Sequence, residues 1–435
     1  MSGKEQYGVS STSLICRRSS LKGEVRIPGS KSHTIRALAI ASLAPGESTI
    51  RAPLDSNDTR AAVGAYRALG AEIETGADVW TVRGTGGELR APEDVIDVGN
   101  SGVTIRTSMG SCALLREGMA VLTGDEQIRR RPAGPLAASL NDLGAKVRST
   151  RGSGTAPFVV EGRLRGGETS IEAVTSQYLS ALLINCPYAD GESVIRVPVL
   201  NEAPYVEMTL DWIRQHGIEL EQEDLRRFRI PGGQRYRPVE RAIPADFSSA
   251  TFFLGAGALG ENDIVLRGLD MRDTQGDKAV VDFVRQMGAE VEVAEDCIRV
   301  RAGELVGCEI DLNATPDALP TLAVLGCLAR GTTRLVNVPQ ARVKETDRIA
   351  VMEAELTKLG ARVEQLEDGI VVHESALTGA EVEGHGDHRV VMALAVAGCS
   401  IPGTTVVRGA EAAAVTFPQF ADDMISLGAD IEVRR

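Results

Sequence analysis

A glycine that closes a helix recurs at Gly70, Gly144, Gly217, Gly288, Gly360 and Gly428, at spacings of 74, 73, 71, 72 and 68 residues. A period near 72 that runs through the whole chain is the mark of a repeat architecture, and it constrains the fold more than any single motif does. Glycine suits the place because the residue after a helix commonly turns left-handed, which costs least without a Cβ. Each of the six units opens on small polar or charged residues that lead into an apolar helix. These openings are Ser30-Lys-Ser-His-Thr-Ile-Arg36, Gly99-Asn-Ser-Gly-Val-Thr-Ile-Arg106, Val174-Thr-Ser-Gln177, Pro244-Ala-Asp-Phe-Ser-Ser249, Thr315-Pro-Asp317 and His385-Gly-Asp-His-Arg389. Short β-rich runs follow, such as Ser48–Arg51, Ser193–Val197, Ile264–Arg267, Thr333–Val336 and Thr404–Arg408. A second helix then ends at its glycine, and a strand such as Ala71-Glu-Ile-Glu begins.

A unit of this kind cannot bury its apolar face alone, so the copies are expected to pack three with three. The first three units end near Arg237 and the last three begin near Ile243. The first strand of such an array needs a partner, which assigns residues 1–27 to the second group. The expectation is one discontinuous domain, 1–27 plus 245–435, and one inserted domain, 28–244, with the chain crossing twice between them. A cleft between them, ringed by helix N-termini, would attract anions and would be gated by domain closure.

The net charge of −13 works against a general nucleic-acid or membrane surface, so any anionic ligand needs a local cationic pocket. Two Trp and 4% aromatic residues leave little for base stacking. At 435 residues, 43% hydrophobic and 25% charged, the chain has the make-up of a globular protein of two domains. The seven cysteines lack any Cys-x-x-Cys spacing, as expected of reduced thiols. Residues 1–20 carry no apolar signal core, and the best apolar run, near Val390–Cys399, is too short to span a bilayer. A cytoplasmic monomer is expected.

The stretch Gln340–Arg348 sets three cations and two carboxylates at the start of a helix whose apolar face reads Ile349, Met352, Leu356 and Leu359. Lys344 and Arg348 there form an anion receptor with Glu345 inside it. A glutamate among fixed cations is ionised and oriented, which suits proton transfer.

Together, Ile27-Pro-Gly-Ser-Lys-Ser, Gly99-Asn-Ser-Gly, Arg131-Pro-x-Gly-Pro-Leu, Thr175-Ser-Gln-Tyr-Leu, Thr315-Pro-Asp-Ala, Arg342-Val-Lys-Glu-Thr-Asp-Arg and Asp387-His-Arg resemble the 5-enolpyruvylshikimate-3-phosphate synthase family, in order through all six units. The resemblance implies an α/β fold of two domains, each of three βαβαββ repeats, joined by two crossovers. It implies transfer of the enolpyruvyl group of phosphoenolpyruvate to the 5-hydroxyl of shikimate 3-phosphate, without metal or cofactor. By the same resemblance Lys31, Gly102, Arg131, Gln177, Arg348 and Arg389 receive phosphoenolpyruvate. Lys31, Ser32, Arg36, Thr175, Ser176, Gln177, Tyr205, Asp317, Gln340 and Lys344 hold shikimate 3-phosphate. Asp317 is the matching base, and Glu345 with Lys31 the matching proton-transfer pair. Another enolpyruvyl transferase of the same fold is the alternative. The member acting on UDP-N-acetylglucosamine uses a cysteine in the loop matching Gly124–Arg131, where this chain has none.

Ser32, Ser176 and Asp317 taken singly read equally well as helix caps, and Gly29 and Gly102 as turn glycines. His385-Gly-Asp-His388 invites a metal reading but lacks a third ligand. The chain also departs from the family pattern. Val415 stands where a lysine is expected, Glu202 and Ala203 where a serine and a basic residue are expected, and Gln340 where an asparagine is expected. Val103 and Thr107 near the inhibitor-contacting loop predict an altered affinity for glyphosate.

Overall fold

The computed structural model of the chain describes residues 12–435, so the first eleven residues of the stretches 1–20 and 1–27 lie outside the described residues. Among the described residues, twelve α-helices alternate between two roles. They are α1 (Lys31–Leu43), α2 (Asn57–Ala68), α3 (Gly102–Cys112), α4 (Gly134–Asp142), α5 (Ser176–Asn185) and α6 (Ala203–Gln215) in the first half. In the second half they are α7 (Phe247–Gly257), α8 (Val280–Gln286), α9 (Leu319–Leu328), α10 (Arg348–Lys358), α11 (His388–Ser400) and α12 (Phe420–Ser426). The odd-numbered helices are buried around nearly their whole circumference, as their uniformly apolar or small residues require. The even-numbered ones bury one face; in α10 it is Ile349, Met352 and Leu356, with Leu359 at the cap. Each even-numbered helix runs into its glycine, and the six glycines have φ between +90° and +111°.

Around these helices lie six four-stranded sheets of one topology. In the second unit, for example, Ile96–Asp97 pairs in parallel with Met119–Thr123. That strand pairs antiparallel with Phe158–Glu161, which pairs antiparallel with Lys146–Ser149. Three sheets borrow a strand from far away. Glu240–Ala242 lies parallel to Thr49–Arg51 and completes the first sheet, and Lys22–Arg26 lies parallel to Asp263–Arg267 and completes the fourth. Ser13–Arg17 inserts between Thr404–Arg408 and Asp430–Arg434 to complete the sixth.

The buried apolar side chains fall into two clusters. One runs from Ile35 to Ile243, and the other combines Leu14–Ile27 with Ala245–Ile431. The chain passes between them at two segments that touch one another: the Ser30 amide donates to the Pro244 carbonyl at 2.8 Å, and the Asp246 amide donates to the Pro28 carbonyl at 2.9 Å. Gly29 sits in this bridge, where a Cβ would meet the Ala52 carbonyl oxygen at 2.4 Å. Close backbone approach, not a turn, is what requires glycine there. No helix among the described residues is long and apolar enough to cross a membrane.

Candidate active site

The polar openings of the units become the N-terminal turns of the inner helices, and their side chains meet in the seam between the two cores. Ser30, Thr175, Asp246 and Asp387 cap α1, α5, α7 and α11, each accepting from a backbone amide. A 3-10 turn at Pro316–Ala318 leads into α9 and carries Asp317.

Arg348 is at the centre. Only 1% exposed, it donates through Nε to Asp387 at 2.8 Å, through Nη1 to Asp317 at 2.6 Å and through Nη2 to Glu345 at 2.6 Å. Arg389 reaches the other oxygen of Asp317 at 2.8 Å. Arg131, from the loop before α4, crosses the seam to Glu345 at 3.4 Å. Burial alone would raise the pKa of Asp317 and of Glu345. The nearby guanidiniums reverse this and hold both well below the usual carboxylate range: Arg389 and Arg348 for Asp317, Arg131 and Arg348 for Glu345. Lys31 adds to the same effect on both while pairing with Asp58 at 3.2 Å. Beside this cluster opens a cavity of about 430 Å³ whose wall includes Arg130, Arg131, Lys344 and Glu345.

Gly102, the first residue of α3, has a specific reason to be glycine. A Cβ there would lie 2.5 Å from Arg131 Nη2 and 2.8 Å from Arg106 Nη1, so its absence lets two guanidiniums approach the helix end. Arg106 donates to the Gly102 carbonyl at 2.8 Å and to Gln177 Oε1 at 3.0 Å. Gln177 thereby joins the Arg131 side of the seam.

A second group lies along α1, α5 and α6. Thr175 and Ser176 donate to the Glu202 carboxylate, which Lys344 also grips from across the seam. Burial pushes this carboxyl up, and Lys344 and Ser176 bring it below its ordinary value. The Tyr205 hydroxyl donates to Asp277 at 2.6 Å. Arg36 is turned inward: it donates to the Thr209 hydroxyl at 2.8 Å, the Ser32 carbonyl at 3.0 Å and the Tyr205 carbonyl at 3.1 Å. Ser32 is half-buried in the first turn of α1. Gln340 is the outlier: its amide donates to the Asn313 carbonyl at 2.9 Å and the residue is 2% exposed.

Several residues in the seam carry no role in the sequence reading. Asp58 sits on α2, and nothing local in Asn57-Asp-Thr-Arg distinguishes it from a first-turn acidic residue. Asp277 belongs to a 3-10 turn and Arg106 lies one helical turn beyond Gly102. Asp387 and His388 fall inside the quoted Asp387-His-Arg389 motif, where a capping carboxylate that also grips a buried guanidinium was findable. His388 is buried against Arg389 and Glu345, and burial drives its imidazole well below the usual value. His385 donates through Nε2 to the Glu355 carboxylate, 2.8 Å away, instead of turning toward His388.

The comparisons with known proteins agree with this geometry. The sequence model of one family, described as EPSP synthase (3-phosphoshikimate 1-carboxyvinyltransferase), matches residues 15–424. The 3-phosphoshikimate 1-carboxyvinyltransferase of Acetivibrio thermocellus is 55% identical over 96% of this chain and 99% of its own length. The protein of that name from Ruminiclostridium cellulolyticum is 50% identical over 97% of this chain and 99% of its own. Among solved structures, the EPSP synthase of Acinetobacter baumannii superposes with a TM-score of 0.82 at 27% identity, covering 98% of this chain and 100% of that one. Six repeated units, two cores and one seam of paired arginines and carboxylates, matched end to end at this identity, mean that the chain belongs to the EPSP synthase family.

Proposed function

We propose that the chain transfers the enolpyruvyl group of phosphoenolpyruvate to the 5-hydroxyl of shikimate 3-phosphate and releases phosphate. The observation that carries this is the meeting of Arg131 with Glu345 across the seam, beside the pairing of Arg348 and Arg389 with Asp317. Two anionic substrates repel each other, and fixed guanidiniums overcome that repulsion with defined geometry. In the addition step the 5-hydroxyl oxygen bonds to C2 of phosphoenolpyruvate, its proton passes to a carboxylate, and the methylene carbon takes up a proton to become methyl. Elimination then removes a methyl proton and expels phosphate. Asp317, held ionised, is the base for the 5-hydroxyl. Glu345, also held ionised, accepts a proton before it can donate one, and the Lys31 ammonium serves as its partner. Lys31, Gly102, Arg131, Gln177, Arg348 and Arg389 receive phosphoenolpyruvate; Lys31, Ser32, Arg36, Thr175, Ser176, Gln177, Tyr205, Asp317 and Lys344 hold the acceptor, and Gln340, whose amide is taken by the Asn313 carbonyl, is the remaining residue assigned to it.

The two apolar clusters support the division into 1–27 plus 245–435 and 28–244. A monomer in the cytoplasm completes the proposal. The reading as another enolpyruvyl transferase is less well supported, since none of the seven cysteines falls in Gly124–Arg131. Phosphate release on mixing the enzyme with both substrates, and with neither substrate alone, tests the reaction. Absence of release with both present overturns it.

A further inference from the structure

The acceptor pocket already contains an anion. Four donors converge on the Glu202 carboxylate: the Thr175 hydroxyl at 3.1 Å, the Ser176 amide at 3.0 Å and the Ser176 hydroxyl at 2.7 Å reach Oε2, and the Lys344 ammonium reaches Oε1. A helix N-terminal amide, two hydroxyls and an ammonium make a donor set suited to a phosphate group. Three of these residues are the ones proposed to hold shikimate 3-phosphate. Glu202 is 2% exposed and stands before α6 with φ +59° and ψ +41°, a left-handed conformation unusual for a residue with a Cβ. The αL backbone and the four donors together aim this carboxylate into the cradle. It lies where a serine is expected by resemblance.

We propose that Glu202 is the specificity-determining residue of the acceptor pocket: its carboxylate occupies the cradle for the acceptor's phosphate, so a phosphorylated acceptor binds only by expelling it. The inference rests on the proposed reaction and deepens it. A phosphate and a carboxylate cannot share one set of donors, because like charges in a buried site repel strongly. An acceptor with a free hydroxyl at that position meets no such conflict, since it donates to the carboxylate in place. Glu202 therefore lowers the affinity for shikimate 3-phosphate and narrows the preference for it over its dephosphorylated form, shikimate.

The test is the rate of phosphate release from phosphoenolpyruvate with each acceptor in turn. Four open donors, each a charge-assisted or amide contact, would favour the phosphorylated acceptor by more than about 1000-fold. With Glu202 in place the wild-type ratio of kcat/KM is expected below about 100-fold, a measurement that needs no variant. Glu202→Gly, which suits the left-handed backbone, and Glu202→Gln, which keeps the shape, are each expected to lower the KM for shikimate 3-phosphate by about tenfold or more. Neither should lower the KM for shikimate. A wild-type ratio above about 100-fold overturns the inference, as does a rise in the KM for shikimate 3-phosphate in both variants. A purely structural role would lower kcat alike with both acceptors. No phosphate release with either acceptor would instead remove the proposed reaction, and this inference with it.

Discussion

Arg348 gives the residue scale its clearest lesson, because one buried guanidinium pairs with three carboxylates, with Arg389 and Arg131 sharing the load on Asp317 and Glu345. Removing one partner of a buried ion pair leaves the others uncompensated, which typically costs about 3–5 kcal/mol. Arg348→Met is therefore expected to lower unfolding free energy by about that amount in a denaturant titration. An unchanged midpoint would mean that Asp317, Asp387 and Glu345 find other donors. Glu345→Gln tests chemistry more than stability: the amide keeps the shape but cannot relay a proton, so turnover should fall at least about 100-fold while circular dichroism stays that of the parent. Near-normal turnover would reassign the role. Gly102→Ala puts a methyl within 2.5 Å of the Arg131 guanidinium, which must retreat from Glu345. The expected result is a raised KM for phosphoenolpyruvate with a much smaller change for the acceptor, read from steady-state kinetics. The cations of Gln340–Arg348 were legible in the sequence because they stand together at a helix start. Asp58 and the inward turn of Arg36 were not, since Asp58 meets Lys31 from a different helix of its unit and Arg36 meets Thr209 and Tyr205 from the third unit. Glu202 was visible only as a departure, and its four donors emerge when α5 and Lys344 are brought together.

At the scale of elements, one physical constraint repeated six times is easier to read than any single element. The helix-closing glycines all have φ near +100°, and each stands where the same helix end meets the same strand start. Gly360 isolates the backbone contribution, because a Cβ there would meet only the Ala376 carbonyl oxygen at 3.4 Å. Gly360→Ala should then cost about 1–2 kcal/mol through left-handed backbone strain alone, with kcat and KM unchanged. A thermal midpoint equal to the parent's would show that the turn relaxes into an allowed conformation. The inner helices were legible as apolar stretches behind polar openings. The pairing of Glu240–Ala242 with Thr49–Arg51 was not, because a three-residue strand has no periodicity and its partner lies far back in the chain.

For the whole molecule, the question is what keeps the two cores together over the seam. Ion pairs and hydrogen bonds reach across it: Arg131 with Glu345, Lys344 with Glu202, and His33 with Asp273 at 3.1 Å all cross from one core to the other. The Trp212 indole donates to His33 Nδ1 at 2.7 Å, which leaves Nε2 to donate to Asp273. Burial would raise Glu345, Glu202 and Asp273, yet their cationic or imidazole partners bring all three below ordinary carboxyl values. A carboxyl depressed in the folded state contributes stability that is complete above its unfolded value and is lost as pH falls through the folded one. The loss begins below the ordinary value of 4.5 for the two glutamates and of 3.8 for Asp273. The apolar cores carry no such dependence. Acid should therefore part the cores before it unfolds them, so that the radius of gyration from solution scattering rises below about pH 4.5 while far-UV circular dichroism persists. Added salt at pH 7 should not reproduce the expansion, because buried pairs are screened little. A radius that stays constant until the dichroism collapses would mean that apolar contact across the seam, rather than its ion pairs, holds the molecule closed.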